Sequence, residues 1–172
     1  MKDMLVQVEP LIPSLRRYAR ALMRDRTTAD DLVQDCLERA VSRWHQRRDG
    51  GVRAWLFTIL HNLAVSQFRQ AATRGRHMPI DDAGERELAS AAAQEHRLIY
   101  QDVLNKLARL PEEQRAVLLL VAVEDFSYAD AAKLLDVPVG TVMSRLSRAR
   151  ERLQQELEGA APGNVVELRS MK

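Results

Sequence analysis

This chain of 172 residues contains one cysteine and no apolar run long enough to span a membrane. A single cysteine, Cys36, excludes an internal disulfide framework and fits a reducing compartment. Because Cys36 lies among apolar helical positions, we expect a buried, unreactive thiol rather than a redox sensor. No basic stretch followed by an apolar one opens the chain. These absences predict a cytoplasmic protein with no membrane-inserted segment.

Patterns typical of metal sites and of phosphate-binding loops are also missing. The four histidines do not recur at ligand spacing with cysteines or carboxylates: His45, His61, His77 and His96. Strand signals are absent, so no glycine-rich loop follows a strand. Asp81 and Asp82 could bind a cation weakly, but a solvated acidic loop is the favoured interpretation. The sequence therefore predicts no metal, no cofactor and no catalytic residue, and an enzyme is not expected.

Helix-forming residues fill most of the chain, and breakers divide it in two. Residues 10–70 are almost wholly helix-forming, with a turn at Asp49-Gly50-Gly51. Residues 74–95 lose apolar periodicity and gather glycine, proline, aspartate and alanine, as linkers do. We therefore expect an all-α fold of two small helical domains joined by a flexible linker. The predicted divisions are a first domain at 1–75, a linker at 76–97, a second domain at 98–158 and a mobile tail at 159–172.

Residues 127–153 have the pattern of a helix, a tight turn and a second helix. Ser127 and Asp130, three residues apart, form a capping pair that opens the first helix. Pro138 ends it, because proline disfavours helical geometry in the preceding residue, and a second helix begins near Val139 or Gly140. One stripe of this second helix is apolar and can pack on the first: Val142, Leu146, Ala149 and Leu153.

The opposite side of this second helix is basic. Residues 139–152 contain four arginines against one glutamate, although the whole chain has a net charge of only +2. The major groove of DNA admits such a helix, and arginine can contact guanine edges and phosphates. An ordinary solvated face or a short coiled coil would show the same pattern. The segment favours duplex DNA binding over these alternatives.

A second nucleic-acid pattern surrounds the glycine turn. Aromatic side chains alternate there with cations and with an amide: Arg43, Trp44, His45, Arg47, Arg48, Arg53, Trp55, Phe57, His61, Asn62, Phe68 and Arg69. This mixture suits single-stranded nucleic acid, because bases stack on rings and phosphates pair with arginine. Each ring could instead belong to the core of a small helical domain. For each aromatic taken singly, core packing is the favoured interpretation.

An acidic ridge precedes this segment. Asp31, Asp35 and Glu38 recur at helical spacing beside an apolar stripe. Such a ridge can be a solvated face or a docking surface for a basic partner helix. Spacing alone favours the solvated face.

Three segments, taken together and in order, resemble a known family. They are ADDLVQDCLERAV, VRAWLFTILHNLAVSQFRQ and LARLPEEQRAVLLLVAVEDFSYADAAKLLDVPVGTVMSRLSRARERL. The chain resembles bacterial sigma factors of the extracytoplasmic-function (ECF) class over roughly residues 10–75 and 98–157. Such proteins retain sigma regions 2 and 4 joined by a short linker. The resemblance implies a subunit that directs promoter-specific initiation by RNA polymerase, while nucleotide transfer belongs to the polymerase.

The resemblance assigns the acidic ridge to core polymerase. It implies that the clamp helices of the beta-prime subunit bind four residues: Asp31, Gln34, Asp35 and Glu38. With this family resemblance, docking is favoured over a solvated face.

The resemblance assigns the segment after the glycine turn to the promoter minus-10 element. The implied contacts are Arg53, Trp55, His61, Asn62 and Arg69. Asn62 matches a position that lines a pocket for a base flipped out of the non-template strand. Extruding a base costs on the order of a few kcal/mol, which pocket contacts can offset. Trp55 is expected to be partly structural, and His61 has no specific role beyond lying next to the pocket.

The resemblance assigns the second helix of the helix-turn-helix to the minus-35 element. The implied contacts are Thr141, Ser144, Arg145, Ser147, Arg148 and Arg150, with Arg115 as a phosphate contact nearby. Met143 and Ser147 stand where relatives often carry a cation and an aromatic, and Val121 stands where some carry an arginine. The base preference at minus-35 is therefore not implied.

The resemblance also implies control by an anti-sigma factor that covers the polymerase-binding and DNA-binding faces. Two other functions remain open. A helix-turn-helix regulator that works without polymerase would have no use for the Asn62 pocket. A sigma mimic that only sequesters an anti-sigma factor would need neither the arginine face nor the Asn62 helix.

Overall fold

The computed structural model describes residues 2–47, 51–73 and 91–158. Every regular element within those ranges is helical, which confirms the all-α prediction. The predicted tail, most of the predicted linker with His77, Asp81 and Asp82, and the start of the glycine turn lie outside the described residues. Gly51, at the end of that turn, has φ +78°, a conformation that glycine adopts without strain.

The described ranges contain eight α-helices. Their bounds are α1 Lys2–Val8, α2 Ile12–Leu22, α3 Arg26–Ser42, α4 Val52–Thr73, α5 Ala91–Arg109, α6 Glu112–Leu118, α7 Tyr128–Leu135 and α8 Val139–Glu158. Two 3₁₀ turns occur at Glu9–Leu11 and Trp44–Gln46, and a π-helical turn at Leu119–Val123 extends α6.

Helices α2, α3 and α4 form the first packed group. Each helix buries one apolar stripe against the others, as Leu15, Leu32 and Leu60 illustrate. The Cys36 thiol is fully buried and lies 3.4 Å from the main-chain oxygen of Leu56. Burial raises the pKa of Cys36 to about 12, so its reactive thiolate is disfavoured. The predicted burial of the Cys36 thiol is confirmed.

Helices α6, α7 and α8 form the second group. The Ser127 hydroxyl accepts a hydrogen bond of 3.0 Å from the amide of Asp130, which confirms the capping pair. Helix α7 ends at Leu135, because Asp136 takes the left-handed conformation with φ 53°. Helix α8 then begins at Val139 as predicted, and Val142 lies fully buried within its apolar stripe.

Helix α5 begins earlier than the sequence analysis predicted. The predicted linker extends to residue 97, but the chain is already helical at Ala91, where alanines favour the helix. The two helical groups also pack on each other through one apolar core. Phe57 of α4 and Phe126, just before α7, meet edge to face with ring centroids 5.1 Å apart. The groups are therefore in direct contact, an arrangement that the picture of two tethered domains did not include.

Candidate nucleic-acid and polymerase interface

The acidic ridge is a continuous exposed face of α3. All four predicted polymerase-binding residues lie on it: Asp31, Gln34, Asp35 and Glu38. The amide of Gln34 donates a hydrogen bond of 3.1 Å to the Glu38 carboxylate, which aligns two of them. In the part of the chain that the structure describes, the three carboxylates form no salt bridge. The opposite side of α3 is buried, and among the residues described the ridge is left open to solvent or a partner.

The predicted minus-10 residues all lie on α4, but they occupy two different faces. Trp55, Asn62 and Arg69 are spaced by seven residues, which places them along one face of a helix. Asn62 and Arg69 are exposed, and Trp55 is half-buried. Arg53 lies about 180° away from Asn62 at 100° per residue, on the side that packs inward. The structure therefore brings together three of the five predicted residues.

A small aromatic cluster supports the Asn62 face. Trp55 packs edge to face on Trp44, with ring centroids 6.1 Å apart. The guanidinium of Arg47 lies 4.2 Å from the centroid of Trp44. Trp55 is thus partly structural, as expected. Ser66, an exposed residue one turn beyond Asn62, lies on the same face, and its hydroxyl donates a hydrogen bond of 3.0 Å to the main-chain oxygen of Asn62.

Arg53 and His61 point away from this face and toward other helices. Arg53 contacts Glu124, with its guanidinium nitrogen 3.7 Å from the carboxylate and hydrogen-bonded to the main-chain oxygen. Nδ1 of His61 lies 3.1 Å from the hydroxyl of Tyr18, which is fully buried. In this arrangement neither side chain faces DNA bound at Asn62.

The burial of His61 predicts a pH dependence of stability. Burial, and then the positive charge of Arg145, lowers the pKa of His61 from 6.5 to about 4. The unfolded chain therefore takes up a proton near pH 6.5, whereas the folded chain does so only near pH 4. Stability from neutral His61 is complete above pH 6.5 and is lost as the pH falls toward 4.

We expect this linkage to lower the free energy of unfolding by about 2 kcal/mol between pH 7 and pH 5. Urea unfolding at both pH values measures it. His61→Gln should remove this part of the pH dependence, while the same change at exposed His45 should leave it intact. Equal pH dependence in the wild-type chain and His61→Gln would contradict a buried neutral imidazole.

The predicted minus-35 residues lie on α8, and most of them are accessible. Ser144, Ser147 and Arg148 are exposed on the side opposite the buried stripe, with half-buried Thr141 one turn earlier. Arg145 lies at one edge, where Glu113 holds its guanidinium at 2.7 Å and leaves the side chain 22% exposed. Arg150 lies at the other edge with Met143, beside a shallow cleft of about 260 Å³.

Arg115 differs from the prediction of a phosphate contact. Its side chain is only 2% exposed, and its guanidinium donates to the main-chain oxygens of Leu22 at 2.5 Å and Leu110 at 3.0 Å. Leu22 is the last residue of α2, so Arg115 joins the second helical group to the end of a helix in the first. Burial lowers the pKa of Arg115 to about 10, which still leaves it charged at neutral pH. In this arrangement the predicted phosphate contact is not available.

No group of three or more histidine, cysteine or acidic residues within the described ranges could hold a metal ion. Likewise, none of the helices described is both long and apolar enough to cross a bilayer.

Two family models match the two helical groups. The model described as "Sigma2 domain of PhyR" matches residues 8–61, a range that includes the acidic ridge and ends one residue before Asn62. The model described as "Sigma-70, region 4" matches residues 100–153, which include α6, α7 and most of α8.

Individual proteins match most of the chain. The ECF RNA polymerase sigma factor EcfG of Rhodopseudomonas palustris is 39% identical over 83% of this chain and 78% of its own length. The sigma factor RpoE, solved with the anti-sigma factor NepR from Bartonella quintana, is 31% identical with a TM-score of 0.74, covering 94% of this chain and 100% of that one. The PhyRSL–NepR complex from Sphingomonas sp. Fr1 is 27% identical with a TM-score of 0.64, covering 93% and 92%. The extent of these matches, over both the acidic ridge and the helix-turn-helix, shows that the chain belongs to the ECF RNA polymerase sigma factor family.

Proposed function

We propose that this chain binds core RNA polymerase through α3 and reads promoter DNA through α4 and α8. In this assignment residues 1–75 act as sigma region 2, residues 98–158 act as sigma region 4, and residues 76–97 connect them. The observation that carries the proposal is the presence of three separate exposed faces with suitable chemistry. One is acidic, one has an amide beside aromatic rings, and one is rich in serine and arginine.

The acidic ridge of α3 is the surface that we assign to the clamp helices of the beta-prime subunit. Its three carboxylates are exposed and have no cation within salt-bridge distance among the residues described. A basic partner helix would therefore gain three new ion pairs without breaking any among the described residues.

The Asn62 face of α4 is the surface that we assign to the melted minus-10 strand. Asn62 can hydrogen-bond the edge of an unstacked base through both its carbonyl and its amide group. Arg69, two turns further along the same face, is placed to pair with a phosphate. The serine and arginine side chains of α8 suit the edges and backbone of the minus-35 duplex.

We infer that an anti-sigma factor controls this chain. The support is that RpoE was solved in complex with the anti-sigma factor NepR, and that its structure matches 94% of this chain. We also infer that the chain performs no chemistry of its own and works in the cytoplasm with the polymerase. Both inferences rest on family membership.

A sigma mimic is the second candidate. The region 2 match is to a domain of PhyR, and a PhyR fragment also forms a complex with NepR. Against this candidate, the arginine face of α8 and the Asn62 face are both intact and exposed, and a mimic needs neither.

Transcription with purified core enzyme tests the proposal. We expect Asn62→Ala to slow open-complex formation, and Arg148→Ala to weaken promoter binding by about 1 to 3 kcal/mol, because each removes a base or phosphate contact. Exposed residues outside the DNA faces supply the matched controls, Asn105→Ala and Arg16→Ala.

Promoter-dependent initiation by the wild-type chain separates the candidates. A regulator that works alone would bind duplex DNA stably without core enzyme and would not respond to Asn62→Ala at melting. A mimic would not initiate transcription at all. Unchanged open-complex formation by Asn62→Ala would show that the pocket assignment is wrong.

A further inference from the structure

A buried carboxylate joins the two helical groups. Glu124 follows the π-helical turn of the second group and is only 1% exposed. Arg17 of α2 donates two hydrogen bonds to its carboxylate oxygens, at 2.8 and 2.9 Å. Arg53 of α4 approaches the same carboxylate from the other helix. Two helices of the first group therefore share one anion that the second group supplies.

Phe126 adds an apolar contact beside this anion. Its ring packs on Phe57, which in turn packs on Tyr18 with ring centroids 5.4 Å apart. The guanidinium of Arg53 lies 4.4 Å from the centroid of Phe126, within the range of a cation–π interaction. Asp125, between the two contact residues, has φ 52°, an uncommon conformation for a residue other than glycine. Arg53 is thus held by an anion and by a ring from the same short loop.

An arginine of α8 lies close to the first group. Arg145 pairs with Glu113, and its charge is close enough to His61 to lower the pKa of that imidazole. Helix α4 packs on α7 of the second group, and its His61 lies near Arg145 of α8. Arg53, a predicted minus-10 contact, is held by a carboxylate of the second group, whereas Glu113 holds Arg145 within that group.

Promoter DNA cannot be read at both elements in this arrangement. The two elements are about 25 base pairs apart, which is about 85 Å along B-form DNA at 3.4 Å per base pair. A compact chain of 172 residues has a radius of gyration of only about 16 Å. The two helical groups must separate before α4 and α8 can reach their elements together.

We propose that Glu124, held by Arg17 and Arg53, is a latch that keeps the chain closed and unable to engage both promoter elements. This proposal rests on the proposed function, because it assumes that α4 and α8 are the DNA-reading helices. Opening returns all three charges to water, and their rehydration offsets much of the lost pairing energy. Such a latch can therefore be released by binding of core polymerase, without any covalent step.

The test uses the full chain with Glu124→Gln, which keeps the shape of the side chain and removes its charge. Glu158→Gln makes the same change in net charge at an exposed position and serves as the control. Small-angle X-ray scattering measures the radius of gyration, and fluorescence anisotropy measures affinity for a mixed-sequence duplex. We expect Glu124→Gln to increase the radius of gyration and to raise duplex affinity about fivefold to tenfold over the control.

Arg17→Gln removes the other side of the main contact at a half-exposed residue that has no predicted DNA role. We expect Arg17→Gln also to increase the radius of gyration and the duplex affinity. If Glu124→Gln does not fold, Arg17→Gln tests the latch by itself. Wild-type compactness and control-level affinity in the folded variants would overturn the latch. So would an affinity gain that Glu158→Gln shares, since that gain would come from net charge. Neither measurement involves polymerase, so failure of the latch is distinguishable from failure to initiate transcription.

Discussion

Replacing Arg115 with alanine is expected to lower the free energy of unfolding by about 3 kcal/mol or more. The buried guanidinium bonds to the main-chain oxygens of Leu22 and Leu110, and Ala108 accepts a longer hydrogen bond of 3.4 Å. Ala108 would keep its hydrogen bond from Arg24, but alanine would remove the Arg115 donor from the oxygens of Leu22 and Leu110. Each unsatisfied buried group costs about 1 to 3 kcal/mol. It would also leave a cavity between the two helical groups.

Urea unfolding followed by circular dichroism measures this loss. Arg115→Lys keeps the charge but lacks the planar fork that reaches several carbonyls, so we expect it to recover only part of the stability. Arg16→Ala, at an exposed position of α2, is the control and should change stability by less than about 0.5 kcal/mol.

The alternative role for Arg115, a phosphate contact, makes a different prediction. Losing a phosphate contact would leave stability unchanged and would reduce the slope of log affinity against log salt by about one. Near-wild-type stability of Arg115→Ala combined with a reduced slope would contradict the structural role that we assign to it.

Reversing the charge of Asp35 is expected to weaken binding to core polymerase by about 2 to 4 kcal/mol, or roughly 30-fold to 1,000-fold. Asp35 lies in the middle of the exposed ridge of α3, between Asp31 and Glu38. A lysine there would replace an attraction for the basic clamp helix with a repulsion in the centre of the interface. Because the side chain is exposed in the free chain, stability should change by less than about 0.5 kcal/mol.

Binding of labelled chain to purified core enzyme measures this effect. Asp3→Lys makes the same substitution at an exposed residue of α1 and should retain wild-type affinity. If Asp35→Lys bound core enzyme with wild-type affinity, the ridge would be a solvated face rather than a docking surface. A similar loss for both variants would indicate long-range electrostatics rather than a docking surface.

Local features of the fold were predictable because each depends on neighbours in sequence. The Ser127 cap of α7, the break before Pro138 and the buried stripe of α8 all follow from spacings of a few residues. The acidic ridge of α3 was predictable for the same reason. The early start of α5 was missed, because the weak apolar periodicity before residue 96 concealed a segment of good helix formers.

The division of the minus-10 residues was also within reach of the sequence. Helical geometry alone places Arg53 on the opposite side of α4 from Asn62, and this signal was not used. The partner of Arg53 could not be predicted from the sequence, because Glu124 lies 71 residues further along the chain. Nothing in the spacing around Glu124 distinguishes it from a solvated loop residue.

The sequence by itself determined that this protein is helical, where its helix-turn-helix lies, which faces of α3 and α8 are charged, and which family it resembles. Only the tertiary structure decided which arginines are available to DNA. Arg17 and Arg115 find their partners 107 and 93 residues away, respectively. Such contacts form because burial removes water from a charged group, which must then find any donor or acceptor that the packing brings near. The spacing of neighbouring residues in the sequence does not predict which group that will be.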